Sequence, residues 1–299
     1  MSKHTLIAIA TLLVLGILLR VAAAQPDIKS WIDNRLLTFQ RMTVTVYYPD
    51  GHGRLIPLSS TLPGNVDGPR EIFHKLQNPP IHPARTLQSP LPAGTVMISD
   101  LRDDGTLTVN LSLPTGSDSK ALSSDSLFAL KASMLSLPQI KRVKFELHTP
   151  PIAVAAEEDD RQVVYLYNFA HQQIETVMVP TSGPSTTLQA FLDLGAQSDS
   201  QGFPSDVTVS NYRYTPLDRA LNVDFSYTPS LRQLALDNPN SIRGLLVGLI
   251  ATLTQFNQIQ QVTLTFGQHT KLGAGQCATL IGTPQPQPLI LNEAQHYGR

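Results

Sequence analysis

The order of apolar and polar positions repeats along the chain, and each of the two copies predicts the same series of elements. Alternating apolar residues over 43–48 and 162–167 predict an opening strand in each copy, followed by a turn and a second extended run. Helical spacing comes next, then a hairpin, then a second helix and a closing strand. The predicted order is therefore β-β-α-β-β-α-β twice, an α/β (α+β) fold with two similar two-layer domains.

The two copies agree most closely near their ends, over residues 127–147 and 246–266. Leu127 corresponds to Leu246 in this alignment, and most of the other apolar positions coincide in type. Each segment has the pattern of a helix, a short break and an alternating strand. The agreement indicates one supersecondary unit that is used twice.

Outside the two copies the periodicity is lost, and this sets the predicted boundaries. An acidic, proline-flanked stretch separates the copies, and Gly, Pro and Gln dominate the C-terminal end. Because each copy has the size of an ordinary domain, we expect the two to fold separately. The predicted organisation is a signal peptide or membrane anchor (1–25), a short amphipathic helix (26–41), domain 1 (42–149), an acidic linker (150–161), domain 2 (162–268) and a Gly/Pro/Gln-rich tail (269–299).

The N-terminal segment has the layout of an export signal. A basic start precedes an apolar run over residues 6–19, which is shorter than the ~20 residues that a membrane-spanning helix needs. Ala22 and Ala24 satisfy the small-x-small rule for cleavage. An uncleaved anchor, with Arg20 reaching the far interface, fits equally well. Both alternatives place the rest of the chain outside the cytoplasm, secreted or anchored to the cell membrane, with membrane contact only through this segment.

The net charge and the cysteine content argue against several kinds of binding partner and metal site. The chain has 22 Lys and Arg against 23 Asp and Glu, which gives a net charge of −1. Since nucleic-acid-binding domains carry a basic surplus, we expect no nucleic-acid partner. Cys277 is the single cysteine of the sequence. This excludes an intramolecular disulfide and a multi-cysteine metal site.

Residues capable of catalysis lack the spacing that catalysis requires. Cys277 and His269 lie in the tail, outside any predicted strand or helix that would hold a nucleophile and its base. Asp103 and Asp104 precede a glycine in a predicted hairpin turn, and turn formation accounts for them. We therefore predict no enzyme, no cofactor and no metal site.

Tyrosines occur in pairs on the two opening strands, at Tyr47 and Tyr48 and at Tyr165 and Tyr167. Packing in the sheet is the simpler interpretation of this pattern. Stacking of the rings against a cell-wall glycan is the alternative.

One helical segment, residues 241–256, is apolar on almost all sides. Leu245 and Ile250 correspond to Ser126 and Lys131 of the first copy, which are polar. We therefore predict that Leu245 and Ile250 form an interface specific to the second copy, covered either by the tail or by another chain.

Short motifs in both copies carry a family resemblance. Residues 44–49 read Val-Thr-Val-Tyr-Tyr-Pro, residues 91–96 read Leu-Pro-Ala-Gly-Thr-Val, and residues 105–112 read Gly-Thr-Leu-Thr-Val-Asn-Leu-Ser. The helix-to-strand segments over 135–143 and 252–262 complete the pattern. Together they resemble the GerMN domain of the GerM-type sporulation and spore-germination family, which also occurs in other bacterial envelope proteins.

The resemblance covers about residues 42–148 and 162–268, although the second copy reads Gly-Phe-Pro-Ser-Asp over 202–206 in place of Leu-Pro-x-Gly. It implies a non-catalytic exported envelope protein that acts as a scaffold or protein-interaction module, with sporulation or germination as the process it serves. The implied partners are envelope proteins or further copies of the chain. The alternative is a cell-wall (peptidoglycan) binding module, with or without regulation of a wall hydrolase.

Overall fold

The structure is a computed structural model that describes residues 41–81, 86–115, 122–147, 161–197, 202–267 and 279–292. The chain divides into two compact units. The larger unit, Val44–Ser60 together with Pro69–Arg299, contains the packed strands and helices of both repeats. The predicted N-terminal segment, nearly all of the short helix at 26–41 and nearly all of the acidic linker lie outside the described residues.

The first repeat forms the predicted order of elements and the second forms it with one added helix, which confirms the fold class. The first repeat contains β1 (Arg41–Pro49), β2 (Leu55–Pro63), α1 (Gly68–Gln77), β3 (Val96–Leu101), β4 (Thr106–Ser112), α2 (Ser124–Leu135) and β5 (Arg142–Leu147). The second contains β6 (Arg161–Asn168), β7 (Gln173–Pro180), α3 (Pro184–Ala196), β8 (Val209–Thr215), β9 (Ala220–Phe225), α4 (Pro229–Asp237), α5 (Pro239–Thr254) and β10 (Gln261–Phe266). A short strand of the tail, β11 (Gln285–Pro286), follows.

The second repeat departs from the pattern in two places. Helix α4 was not predicted; it begins at Pro229, and the Thr228 side chain accepts a hydrogen bond from the Leu231 N–H at 3.2 Å. The sequence pattern predicts a strand over residues 206–213, but β8 begins only at Val209. The Val207 N–H donates to the Pro204 carbonyl at 2.9 Å and closes a turn before the strand.

The described strands form three sheets, and one of them joins the two repeats. The sheets have the orders β1-β2-β7-β6, β3-β4-β5 and β11-β10-β9-β8. In the second of these sheets β4 runs parallel to β5 and is connected to it through α2. In the third, β9 runs parallel to β10 and is connected to it through α4 and α5. In the first sheet, β2 and β7 pair antiparallel, with Leu55 opposite Thr176. The first hairpins of the two repeats therefore share one sheet.

The hydrophobic core is continuous across the repeats. Tyr47, Leu55, Phe128 and Ala129 of the first repeat belong to the same buried cluster as the core residues of the second. Helices α3 and α5 pack against β6 of the shared sheet. None of the helices in the described ranges is long and apolar enough to cross a membrane.

Candidate functional site at the junction of the repeats

The β2–β7 contact, which we call the junction, is bounded by two turns built in the same way. The Asp50 carboxylate accepts a hydrogen bond from the His52 N–H at 2.8 Å in the β1–β2 turn. The Asn168 side-chain oxygen accepts one from the Ala170 N–H at 3.0 Å in the β6–β7 turn. Both are side-chain-to-backbone bonds two residues apart, which fix a turn without help from a strand.

An ion pair connects the repeats beside these turns. The Arg54 guanidinium bonds to the Glu175 carboxylate, whose side chain is only 1% exposed. The other carboxylate oxygen accepts a hydrogen bond from the Asn168 amide at 2.8 Å and lies 3.6 Å from the His171 ring. Because both oxygens of this buried carboxylate are engaged, its partners stabilise the charge in place.

Asn292 of the tail inserts its amide between β2 and β7 at the junction and is 7% exposed. Its oxygen accepts from the Ile174 N–H at 2.8 Å, and its nitrogen donates to the Pro57 and Ile174 carbonyls at 2.8 and 2.7 Å. Its backbone carbonyl accepts from the Ser59 N–H at 2.8 Å. The amide thus supplies the hydrogen bonds that the two strands would otherwise exchange.

A pair of tyrosines links the outer strands of the shared sheet. The Tyr47 and Tyr165 hydroxyls lie 2.7 Å apart, although β1 and β6 are at opposite edges. Burial raises the pKa of Tyr47 well above its usual value, and the charge and hydrogen bond of Tyr165 raise it further. Burial raises the pKa of Tyr165 to about 12, against a lowering by its hydrogen bond to Tyr47.

We expect the tyrosine pair to make the fold sensitive to alkali. A pKa that is higher in the folded than in the unfolded state means that the folded state holds more protons above about pH 10. Stability should therefore be fully present below pH ~10 and fall between pH ~10 and ~12 by up to ~1.4 kcal/mol per pH unit for each tyrosine. The double variant Tyr47→Phe, Tyr165→Phe should lose stability less steeply in urea unfolding across this range. Equal slopes for the two proteins would contradict the assignment.

Helix hydroxyls close both edges of the shared sheet. The Ser133 oxygen of α2 accepts from the Tyr47 N–H of β1 at 3.0 Å. The Thr252 oxygen of α5 accepts from the Tyr165 N–H of β6 at 3.0 Å. Gln255 adds a second clamp on β6, accepting from the Val163 N–H at 3.1 Å and donating to its carbonyl at 2.7 Å. Backbone groups of the two edge strands are thus bonded by side chains of the same chain.

Leu245 and Ile250, the predicted interface residues, lie in the core. They are 0% and 1% exposed, and neither side chain can reach another molecule in this conformation. Helix α5 contacts β6, β7, β10, β11, α3 and α4, so neighbours from the chain itself surround it. Burial on all sides explains the apolar pattern that distinguished this helix from its counterpart in the first repeat.

Two glycines allow α5 to lie directly on β6. A Cβ added at Gly248 would lie 2.4 Å from the Tyr165 carbonyl oxygen, and one added at Gly244 would lie 2.1 Å from the Tyr167 ring. No side chain larger than hydrogen fits at Gly248 without moving the helix or the strand, or at Gly244 without moving the Tyr167 ring as well or instead.

The four tyrosines of the opening strands are buried, at 3–8% exposure. The Tyr48 hydroxyl donates to the Lys75 carbonyl at 3.1 Å. Their faces therefore pack inside the protein and offer no surface for a glycan to stack on. Cys277 and His269 lie outside the described residues, and within the described ranges no three His, Cys, Asp or Glu side chains come together as metal ligands.

Sequence reasoning missed Asn292, Glu175 and the two edge-closing hydroxyls. A signal existed for the hydroxyls, because Ser133 corresponds to Thr252 in the repeat alignment and both have β-hydroxyl side chains. A polar position retained at the same place in two apolar helices favours a structural hydrogen bond. Asn292 lies in a stretch without periodicity and offered no such signal.

The chain is similar to a protein family and to solved structures connected with sporulation. The family described as "Germane: Sporulation and spore germination" matches residues 45–148 and 159–271. The solved tandem GerMN domains of the sporulation protein GerM from Bacillus subtilis match at 16% identity and a TM-score of 0.59, covering 85% of this chain and 99% of that one. The first GerMN domain of that protein matches at 23% identity and a TM-score of 0.30, covering 44% and 96%. No curated protein matches the chain.

Proposed function

Because the chain belongs to the Germane family of sporulation and spore germination, we propose that it acts in that process outside the cytoplasm as a non-catalytic interaction platform. The structure of the junction is the observation that supports this proposal. There the two repeats share a sheet, and Asn292 bonds to both strands that meet. Joined in this way, the repeats present their outer surfaces in a fixed relation, as a platform for partners requires.

The polar groups at the junction support a structural role for this part of the protein. The Tyr47 and Tyr165 hydroxyls bond to each other, and Glu175 bonds to Arg54 and Asn168. A catalytic acid, base or nucleophile must reach a substrate, and the two tyrosines and Glu175 are buried and bonded within the chain. We propose envelope proteins or further copies of the chain as partners.

Deleting the gene from the source organism should impair sporulation or germination, and an intact copy should restore it. The Tyr47→Phe, Tyr165→Phe variant should restore it equally well, because the hydroxyls serve packing and not chemistry. A copy that lacks residues 1–25 should fail, because the protein would remain in the cytoplasm. Spore counts and germination rates measure each outcome. A deletion strain with normal spores, or a folded double variant that fails to restore them, would contradict the proposal.

A further inference from the structure

Strand β3 is an edge of the β3-β4-β5 sheet with apolar side chains in water. Val96 and Ile98 are 58% and 67% exposed and lie on the same face of the strand. The β3–β4 ladder is regular over all six residues, from Val96 opposite Ser112 to Leu101 opposite Leu107. A regular edge strand with exposed branched residues is a template for pairing with another strand.

The backbone groups on the free side of β3 follow from its ladder with β4. The Arg102 N–H donates to the Thr106 carbonyl at 3.0 Å just beyond the strand end. Since hydrogen-bonded pairs recur every second residue in an antiparallel ladder, Val96, Ile98 and Asp100 also bond towards β4. The N–H and C=O groups of the alternate residues, Met97, Ser99 and Leu101, therefore point to the free side.

Four other edge strands within the described residues, β1, β5, β6 and β8, carry protection that β3 lacks. Strand β8, the counterpart of β3, has a bulge between Val209 and Asn211 and exposes Arg213. Strand β5 exposes Arg142 and Lys144. Bulges and basic side chains are devices that prevent edge-to-edge pairing. Edges β1 and β6 are bonded by α2 and α5, as described above.

We propose that β3 pairs antiparallel with β3 of a second copy of this chain, about a two-fold axis at Ile98. The two Ile98 side chains then face each other, and Val96 of each copy lies opposite Asp100 of the other. Met97 and Ser99, whose backbone groups point outward, become hydrogen-bonded partners. This assignment rests on the interaction role proposed above and names one partner for it.

A second copy fits this edge for reasons of charge and symmetry. In the register centred on Ile98 the two Asp100 carboxylates lie four residues apart along the strands, about 14 Å, so their repulsion is small. A register shifted by two residues along each strand, centred on Asp100, would place them directly opposite. Because the protected β8 cannot repeat the contact, pairing closes at a dimer and does not grow into a filament.

Disulfide cross-linking of the full chain tests the pairing directly. Facing residues of a non-hydrogen-bonded pair have Cα atoms about 4.5 Å apart, within the disulfide range. In a chain with Cys277→Ser, Ile98→Cys should give a cross-linked dimer under mild oxidation. Asn211→Cys is the matched control, because Asn211 of β8 pairs with Asp224 of β9 as Ile98 of β3 pairs with Asn110 of β4. We expect at least about tenfold more dimer from Ile98→Cys than from Asn211→Cys.

Sedimentation of the full chain in detergent micelles gives a second readout. The chain should be a dimer, and Ile98→Lys should weaken dimerisation at least about tenfold, because two ammonium groups would meet on the axis. Circular dichroism should be unchanged, since Ile98 is exposed. A monomeric chain, equal cross-linking at Ile98 and Asn211, or an unaffected Ile98→Lys dimer would overturn the proposal. An Ile98→Lys chain that restores spore formation would keep the proposed function and show that the dimer is not needed for it.

Discussion

Replacing Asn292 by alanine should lower the free energy of unfolding by about 3 kcal/mol, one of the largest effects expected of a single side chain in this protein. The substitution leaves the buried Ile174 N–H and the Pro57 and Ile174 carbonyls without the amide that bonds them. A buried polar group without a partner costs roughly 1–3 kcal/mol. Urea unfolding followed by circular dichroism measures the loss.

Two further substitutions make the Asn292 prediction specific. Gln287→Ala changes an exposed residue of the same tail and should stay within about 0.5 kcal/mol of the wild type. Asn292→Asp would turn a carboxylate towards two carbonyls, which raises its pKa in the folded state above the unfolded value of ~3.9. Its destabilisation should therefore exceed that of alanine at neutral pH and shrink as the pH falls through the raised folded pKa towards ~3.9. If Asn292→Ala unfolds like the wild type, the tail does not hold the junction.

Replacing Gly248 by alanine should also destabilise the protein by about 3 kcal/mol, although alanine is the better helix former by ~1 kcal/mol. The added Cβ would lie 2.4 Å from the Tyr165 carbonyl oxygen. A backbone oxygen cannot rotate away as a side chain can, so α5 must move off β6. That movement also strains the hydrogen bond from the Tyr165 N–H to Thr252. Thermal and urea unfolding of the full chain measure the effect.

Gly183→Ala is the matched control for Gly248→Ala. A Cβ at Gly183 would meet no atom within 4 Å, and its φ of 167° is extended backbone that any residue adopts. This substitution should stay within about 0.5 kcal/mol of the wild type. A Gly248→Ala protein as stable as the control, or more stable, would show that α5 and β6 are not in direct contact.

The shared sheet affects whether the two repeats can fold separately. The sequence predicts two separately folding domains, 42–149 and 162–268, joined by a linker. In the structure β2 pairs with β7, and the core cluster includes residues of both repeats. Halves expressed alone would expose these strands and the apolar side chains beneath them.

The sequence determined most of the elements, because their signals are local. Alternation places β1 and β6, and a loop of Asp103, Asp104 and Gly105 fixes the β3–β4 hairpin, where Gly105 adopts a left-handed φ of 81°. The repeat alignment likewise placed both helix-to-strand segments. Each of these features depends on neighbours within a few residues, and the chain carries them in its own pattern.

Only the tertiary structure decided which surfaces are covered. The sequence predicts that Leu245 and Ile250 form an interface covered by the tail or by another chain, because the first copy has polar residues there. In the structure both are buried, and α5 is enclosed by strands and helices of the chain itself, among them β6 and β7, which are distant in sequence. Asn292 lies more than 100 residues from Ile174, the residue it bonds most extensively. Contacts between residues so far apart in sequence depend on the packing of whole elements. Hydrophobic periodicity indicates that a residue is buried, but it does not identify the residues against which it packs.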